Sequence, residues 1–290
     1  MKLSSDGYKT FDVDLDGDVN YLINQSPTGA NKEVWERPRG YEYGSNRLAR
    51  EYQIQPIEAF SSAPQMLDPS EYKDAVQYAT EQQVMPFFYT YKWRPKGFKY
   101  TQNGIGYCWT WSGCGAMMTT WLIEGKDLIY FVPVAMGYLV GWRDRGNYLM
   151  DFVKGAREDG LFATTDQRLL NDHTIGRAGE SKYPLGGDRQ LHLLDEVWDL
   201  NSGNMVQQCL TALCAGRSIY IAYNWWGHAL ELVGVRYNGN TLEWIISNSH
   251  NEDDFIILTG NRAIPSEGIV FVSSKSVEAS TVGHPLYTGA

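Results

Sequence analysis

The spacing of apolar and polar positions changes character near residue 95. Before it, the pattern is broken by turn residues. Phe11-Asp12-Val13-Asp14-Leu15-Asp16-Gly17-Asp18-Val19 alternates apolar and acidic side chains about an Asp-Gly pair, which predicts a β-hairpin with a tight turn. Residues 26–50, rich in Gly, Asn and Arg, read as an extended arm. Asp68-Pro69-Ser70-Glu71 opens a helix reaching about Gln83, with Asp68 as N-cap and Pro69 in the first position. The aromatic run 85–91 reads as a strand. Beyond residue 100, Cys108 to Ile123 is apolar on all faces and stops before Gly125, the pattern of a buried helix. Helices are also predicted over 148–158 and 205–215, ended by Gly160 and Gly216. Strands follow over 218–223, 229–237, 242–247, 255–259 and 269–272, with Asn238-Gly239 as a hairpin turn. Helices first and strands afterwards make an α+β unit. The expected organisation is an irregular N-terminal extension (1–95), a domain over 96–275 and a wandering tail (276–290).

Composition narrows the partners. With 290 residues and 43% hydrophobic content, a core can form without metal or disulfide staples. A formal charge of −9 disfavours a phosphate-binding surface, so nucleic acid is not an expected partner. No run approaches the roughly 20 apolar residues of a membrane span, and Met1-Lys2-Leu3-Ser4-Ser5-Asp6 lacks the apolar stretch of a secretory signal. The expectation is a cytoplasmic or virion-associated chain without membrane contact. Cys108, Cys114, Cys209 and Cys214 show neither CxxC nor zinc-ligand spacing. Asp12, Asp14, Asp16 and Gly17 also fit the first half of a calcium loop, but Ile23 stands where its bidentate carboxylate belongs. His173, His192 and His284 have no metal-like spacing and read as surface residues, and Asp195-Glu196 as a solvated helix face. No metal or cofactor is expected.

One constellation carries chemistry. Cys108 falls where its helix begins, after Gly104, Gly106 and Tyr107, and a helix N-terminus beside a histidine favours thiolate. Downstream, Gly227-His228-Ala229 opens a strand and Asn248 closes the next, so an imidazole can face the thiol while an amide orients the ring.

Gln102-Asn103-Gly104-Ile105-Gly106-Tyr107-Cys108-Trp109 resembles the nucleophile segment of papain-like (cathepsin-like) cysteine peptidases. Residues 227–235 (GHALELVGV) resemble that family's histidine strand, 245–249 (IISNS) its asparagine strand, and 268–272 its final strand. Gly141-Trp142-Arg143-Asp144-Arg145-Gly146-Asn147-Tyr148 echoes its glycine-rich substrate loop. The resemblance implies a helical half carrying the nucleophile and an antiparallel β half carrying the base. It further implies Cys108 as nucleophile, His228 as base, Asn248 as orienter, and an oxyanion hole from Gln102 and the Cys108 backbone N–H. Trp109, Gly146 and Trp226 are expected along the cleft, with Trp225-Trp226 as a wall or as core. The main pocket is expected near Met117, Ala135 and Tyr223. An active pair of this kind predicts a thiolate–imidazolium couple.

Two positions depart from the family. His250 follows Asn248-Ser249 where a shielding Trp is usual, which predicts a wetter His–Asn bond. Ile105 stands where the family carries a disulfide cysteine, which fits a reducing compartment. Residues 1–95 do not resemble an inhibitory propeptide. Three functions compete: an endopeptidase acting on polypeptide, a papain-fold component of an assembly such as a phage virion held to neighbouring chains by arm and tail, and a peptidoglycan amidase or endopeptidase. Rapid alkylation of Cys108 marks the first, inertness the second and cell-wall lysis the third.

Overall fold

The computed structural model describes residues 2–3, 6–25, 55–57, 60–102, 106–134, 148–158, 160–165, 167, 170, 190–200, 202–250 and 255–278. The predicted arm over 26–50 lies outside them. Six helices are described: α1 (Asp16–Gln25), α2 (Tyr72–Glu81), α3 (Pro86–Trp93), α4 (Cys108–Ile123), α5 (Leu149–Glu158) and α6 (Met205–Cys214). The strands are β1 (Lys2–Leu3), β2 (Lys9–Asp12), β3 (Gln55–Pro56), β4 (Tyr130–Phe131), β5 (Ala163–Thr164), β6 (Gln190–Leu194), β7 (Val197–Asp199), β8 (Ser218–Tyr223), β9 (His228–Asn238), β10 (Thr241–Ser247), β11 (Phe255–Thr259), β12 (Glu267–Phe271) and β13 (Ser274–Glu278).

Nine strands form one sheet in the order β1-β2-β11-β10-β9-β8-β12-β7-β3. Its middle, from β11 to β7, is antiparallel throughout. Both parallel pairs come from the N-terminal segment, β2 on β11 at one edge and β3 on β7 at the other. The described part of the extension is therefore woven into the sheet. The tail begins as β13, paired antiparallel to β6, and residues 279–290 lie outside the described set.

Alternate side chains of the sheet enter two cores, as a period-2 pattern requires. Tyr220, Ala229, Ile269 and Phe271 pack under α4 and α5, whereas Ile219, Ile221, Leu230, Leu232 and Val270 pack with α1, α2 and α6. α4 is buried on every side over Cys108–Trp121, which explains its lack of an amphipathic stripe. Gly113 on this helix lies so close to α5 that an added Cβ would sit 2.6 Å from the Phe152 ring. Gly113→Ala is expected to destabilise the fold by about 2 kcal/mol, as overpacking does. A shift in the urea midpoint measures this, and an unchanged midpoint would show that Phe152 moves freely.

Four expectations are corrected. Residues 11–19 do not form a hairpin: β2 ends at Asp12 and Asp16 begins α1. Asp12 and Asp18 act locally, Asp12 Oδ1 accepting from the Asp14 N–H (3.2 Å) and Asp18 Oδ2 from the Asp12 N–H (2.9 Å). Such Asx bonds compete with a strand ladder. Residues 85–91 contribute to a helix because Pro86 presets its first turn, and Pro86, Thr90 and Trp93 bury one face. Asp195-Glu196 links β6 to β7 and is no helix face: Asp195 pairs with Lys275 at 2.6 Å, and Glu196 Oε1 accepts from Ser62 and Trp198. His192 is buried, not superficial, packed edge-on to Trp121 with ring centroids 4.8 Å apart. His173 and His284 lie outside the described residues. The helix over 69–81 forms as expected, Asp68 Oδ1 accepting from the Ser70 N–H at 2.8 Å.

Candidate active site

Cys108 is the first residue of α4, and Tyr107 before it supplies no side-chain cap. In the first turn the Thr110 N–H donates to the Tyr107 carbonyl at 3.0 Å, and no side-chain cap competes for those of Cys108 and Trp109. The backbone N–H groups of Cys108 and Trp109 reach the sulfur, as does that of Ala229, which places the thiol at the mouth of β9 against the residue that follows His228. These donors favour thiolate, but burial acts the other way and is larger. It pushes the Cys108 thiol up to about 11. Burial also lowers His228 to about 4, against a smaller opposing effect from its bond to Asn248. With Cys108 only 4% and His228 only 2% exposed, burial opposes charge on either partner and so works against the expected thiolate–imidazolium pair.

The imidazole's protonation is readable from its partners. His228 Nε2 lies 3.0 Å from Asn248 Oδ1, and the backbone N–H of His250 donates to the same oxygen at 3.2 Å. A backbone N–H can only donate, so the amide oxygen must face this way and Nε2 must carry the imidazole hydrogen. Nδ1 is left with its lone pair. It is buried and has no hydrogen-bond partner among the described residues. That is the state a general base needs.

Gln102 is held by the same strand end. Its backbone N–H donates to the Ser249 carbonyl at 3.0 Å, and the Ser249 hydroxyl donates to its Oε1 at 2.6 Å. With Oε1 occupied by a donor, the opposite end of the amide carries the N–H hydrogens. Three consecutive residues thus organise the site: Asn248 orients His228, Ser249 orients Gln102, and His250 covers His228. The His250 ring is stacked on His228 with centroids 3.7 Å apart and planes at 17°. Burial and the neighbouring His228 hold His250 well below the ordinary histidine range, so it too is neutral. Trp226 closes a second side at 4.8 Å and 58°. The bond expected to be wet is enclosed by two rings, and Asn248 is buried.

The structure brings Cys108, His228, Asn248, Gln102 and Trp226 together. Trp109 lies in the helical core against Tyr107 rather than along an open cleft. Met117 and Tyr223 are fully buried in different cores and do not share a pocket. Gly146 and Ala135, with the loop over 141–147, lie outside the described residues. No group of three or more metal-ligating side chains is placed to hold an ion among the described residues. Asp14, which the calcium reading needed, instead accepts from the Asn261 and Arg262 N–H groups at 2.8 and 3.1 Å. Sequence reading missed the hydrogen bond from Ser249 to Gln102 and the buried carboxyl of Glu231. The isolated acid inside the apolar run 229–235 was the available signal for the latter.

No family model and no curated relative matches the sequence. Solved structures do. A mite-allergen structure, from a study of Blo t 1 and Der p 1, is 14% identical over 83% of this chain and 81% of its own, with TM-score 0.50. Procathepsin B S9 of Trypanosoma congolense is 11% identical, covering 88% and 97%, with TM-score 0.47. Procathepsin L 3 of Tenebrio molitor larval midgut is 14% identical, covering 83% and 99%, with TM-score 0.43. The first of these carries the fold comparison.

Proposed function

We propose that this chain, which has the α+β fold of papain-like cysteine peptidases, is a cysteine endopeptidase working through Cys108, His228 and Asn248. The observation that carries the reading is the fixed tautomer of His228, whose Nδ1 is buried and unpartnered, with the Cys108 thiol at the backbone N–H of the next residue, Ala229. In the reaction the sulfur attacks the scissile carbonyl carbon as its proton passes to Nδ1. Because burial opposes charge on both groups, transfer is expected to accompany attack. The Cys108 N–H and the Gln102 amide stabilise the oxyanion, an effect of about 3 kcal/mol for one such donor. His228 then returns the proton to the leaving amine, and water hydrolyses the thioester. The imidazolium formed in between is sheltered by the Trp226 and His250 rings.

Competition among the four thiols tests this. All are free, and Cys214 is the only one among them not fully buried. Iodoacetamide at neutral pH, followed by mass spectrometry of the intact chain, is expected to label Cys108 at least about ten-fold faster than Cys214, because only an activated thiol outruns its own burial. If Cys214 reacts first and Cys108 is as slow as Cys114 and Cys209, the peptidase reading falls.

A further inference from the structure

We propose that the N-terminal segment, residues 11–25, is a working wall of this site, positioning His228 through Trp226. The inference rests on the peptidase reading for its chemistry but on separate contacts for its geometry. Trp226 lies against His228 and, at 6.1 Å, against His250, so two mutually packed rings flank the proposed base. Its indole N–H donates to the Leu22 carbonyl of α1 at 3.2 Å. Leu22 and Val19 are buried in the same core as Trp226, and Phe11 stacks on Tyr21 with centroids 5.6 Å apart.

A second clasp holds the neighbouring ring. Asp14 Oδ2 accepts from the backbone N–H and the side-chain amide of Asn261, and Oδ1 from the Arg262 N–H. The short 3₁₀ turn Asn261–Ala263 is thereby fixed, and its carbonyls receive the Trp225 indole N–H (Arg262, 2.8 Å) and the Tyr223 hydroxyl (Ala263, 2.8 Å). Trp225 stacks on Trp226 at 5.4 Å and 14°. Residues more than 200 positions apart in the chain thus hold one indole from both ends. Gly260 shows how closely the parts fit, since a Cβ there would meet the Asp14 carboxylate at 2.7 Å.

The physical consequence concerns the base. An imidazole bonded at one nitrogen still rocks about that bond unless its faces are packed, and a displacement of about 1 Å can lower a rate about 100-fold. The packed faces here are supplied by His250 and Trp226, and Trp226 is located by α1 and the Asp14 clasp. Removing residues 11–25 would therefore disable the site rather than release it.

The test uses the full chain with Asp14→Ala, Asp14→Asn and Trp226→Phe. Asp14 has no contact with Cys108 or His228 in this arrangement, and Phe keeps a ring at 226 while removing its anchor N–H. Two signals are read: the rate of Cys108 carbamidomethylation, and solvent exchange of the His228 Nε2–H proton resonance, assigned by its loss in His228→Ala. Asp14→Ala and Trp226→Phe are expected to slow labelling about ten-fold or more and to speed proton exchange, and Asp14→Asn, which keeps one acceptor oxygen, to recover part of both. Unchanged labelling and exchange in Asp14→Ala and Trp226→Phe would overturn the wall while leaving the peptidase reading intact. A wild-type chain whose Cys108 is inert, but whose Nε2–H exchange accelerates in both variants, would overturn the peptidase reading and uphold the wall.

Discussion

Replacing His228 with alanine is expected to slow cleavage of a denatured protein by about 10³-fold, within the range that a general acid–base group supplies. Burial makes the dependence steep. With the Cys108 thiol pushed up to about 11, hardly any thiolate exists at neutral pH unless Nδ1 accepts the proton as attack proceeds. A pre-ionised cysteine would retain much of its reactivity toward iodoacetamide without the histidine. A pair that burial holds neutral would lose it, so the variant is expected to reduce alkylation of Cys108 to the rate of Cys114. Asn248→Ala should fall between the two, because it leaves the ring in place but removes the acceptor that keeps the hydrogen on Nε2. Comparable cleavage by the wild type, Cys108→Ala and His228→Ala would remove the triad from consideration.

Glu231 is expected to make stability fall as pH rises, by about 3 kcal/mol between pH 4.5 and 8. The carboxyl lies on β9 three residues beyond His228, 1% exposed, against α4. Burial raises it from 4.5 to about 7, although the Thr119, Ser218 and Ser247 hydroxyls and the Arg94 guanidinium oppose the shift. Below pH 4.5 it is protonated in both folded and unfolded chains, and its contribution is fully present. As pH rises, the unfolded chain ionises first and binds fewer protons than the folded one, so stability is lost until the folded carboxyl also ionises near pH 7. Glu231→Gln keeps an acceptor for the Ser218 hydroxyl, which donates to Oε1 at 2.9 Å, and does not titrate. Urea unfolding across this range should therefore show the variant gaining on the wild type as pH increases. Glu267, raised to about 8 by burial and by Asp199, adds a slope of the same sign to both chains. His228, lowered to about 4, adds the opposite slope below pH 6.5 to both. Parallel curves for the two chains would show that Glu231 is ionised in the folded state.

Glu231 also shows what pattern reading misses. It belongs to a buried polar layer in which Arg94 donates to the Ser247 hydroxyl at 3.0 Å, and Thr119 takes a bond from the Trp93 indole. Arg94 and Trp93 come from the segment before residue 95, and Ser247 immediately precedes Asn248. The members are scattered over α3, α4 and three strands, so no local window contains them. Aromatic residues 87–91 favour a strand by propensity, yet they form α3 because Thr90 and Trp93 meet α4 in three dimensions. The acidic run at 12–18 alternates like a hairpin, yet its carboxylates turn the chain and reach Asn261 and Arg262.

By itself the sequence determined the elements whose signals are local. The α4 helix and the β8 and β11 strands fall on their expected residues, because continuous apolar runs ended by Gly and Asn leave the backbone little choice. It also offered Cys108, His228 and Asn248 as candidates, since these residues lie at or beside element ends where such groups can converge. Only the tertiary structure decided their condition. Burial opposes charge on Cys108 and His228, and burial is a property of everything packed around them. The tautomer of His228 depends on a backbone N–H two residues past Asn248, and the ring's second wall on a carbonyl of α1. Such constraints arise from contacts distant in the chain, and no periodicity or spacing encodes them.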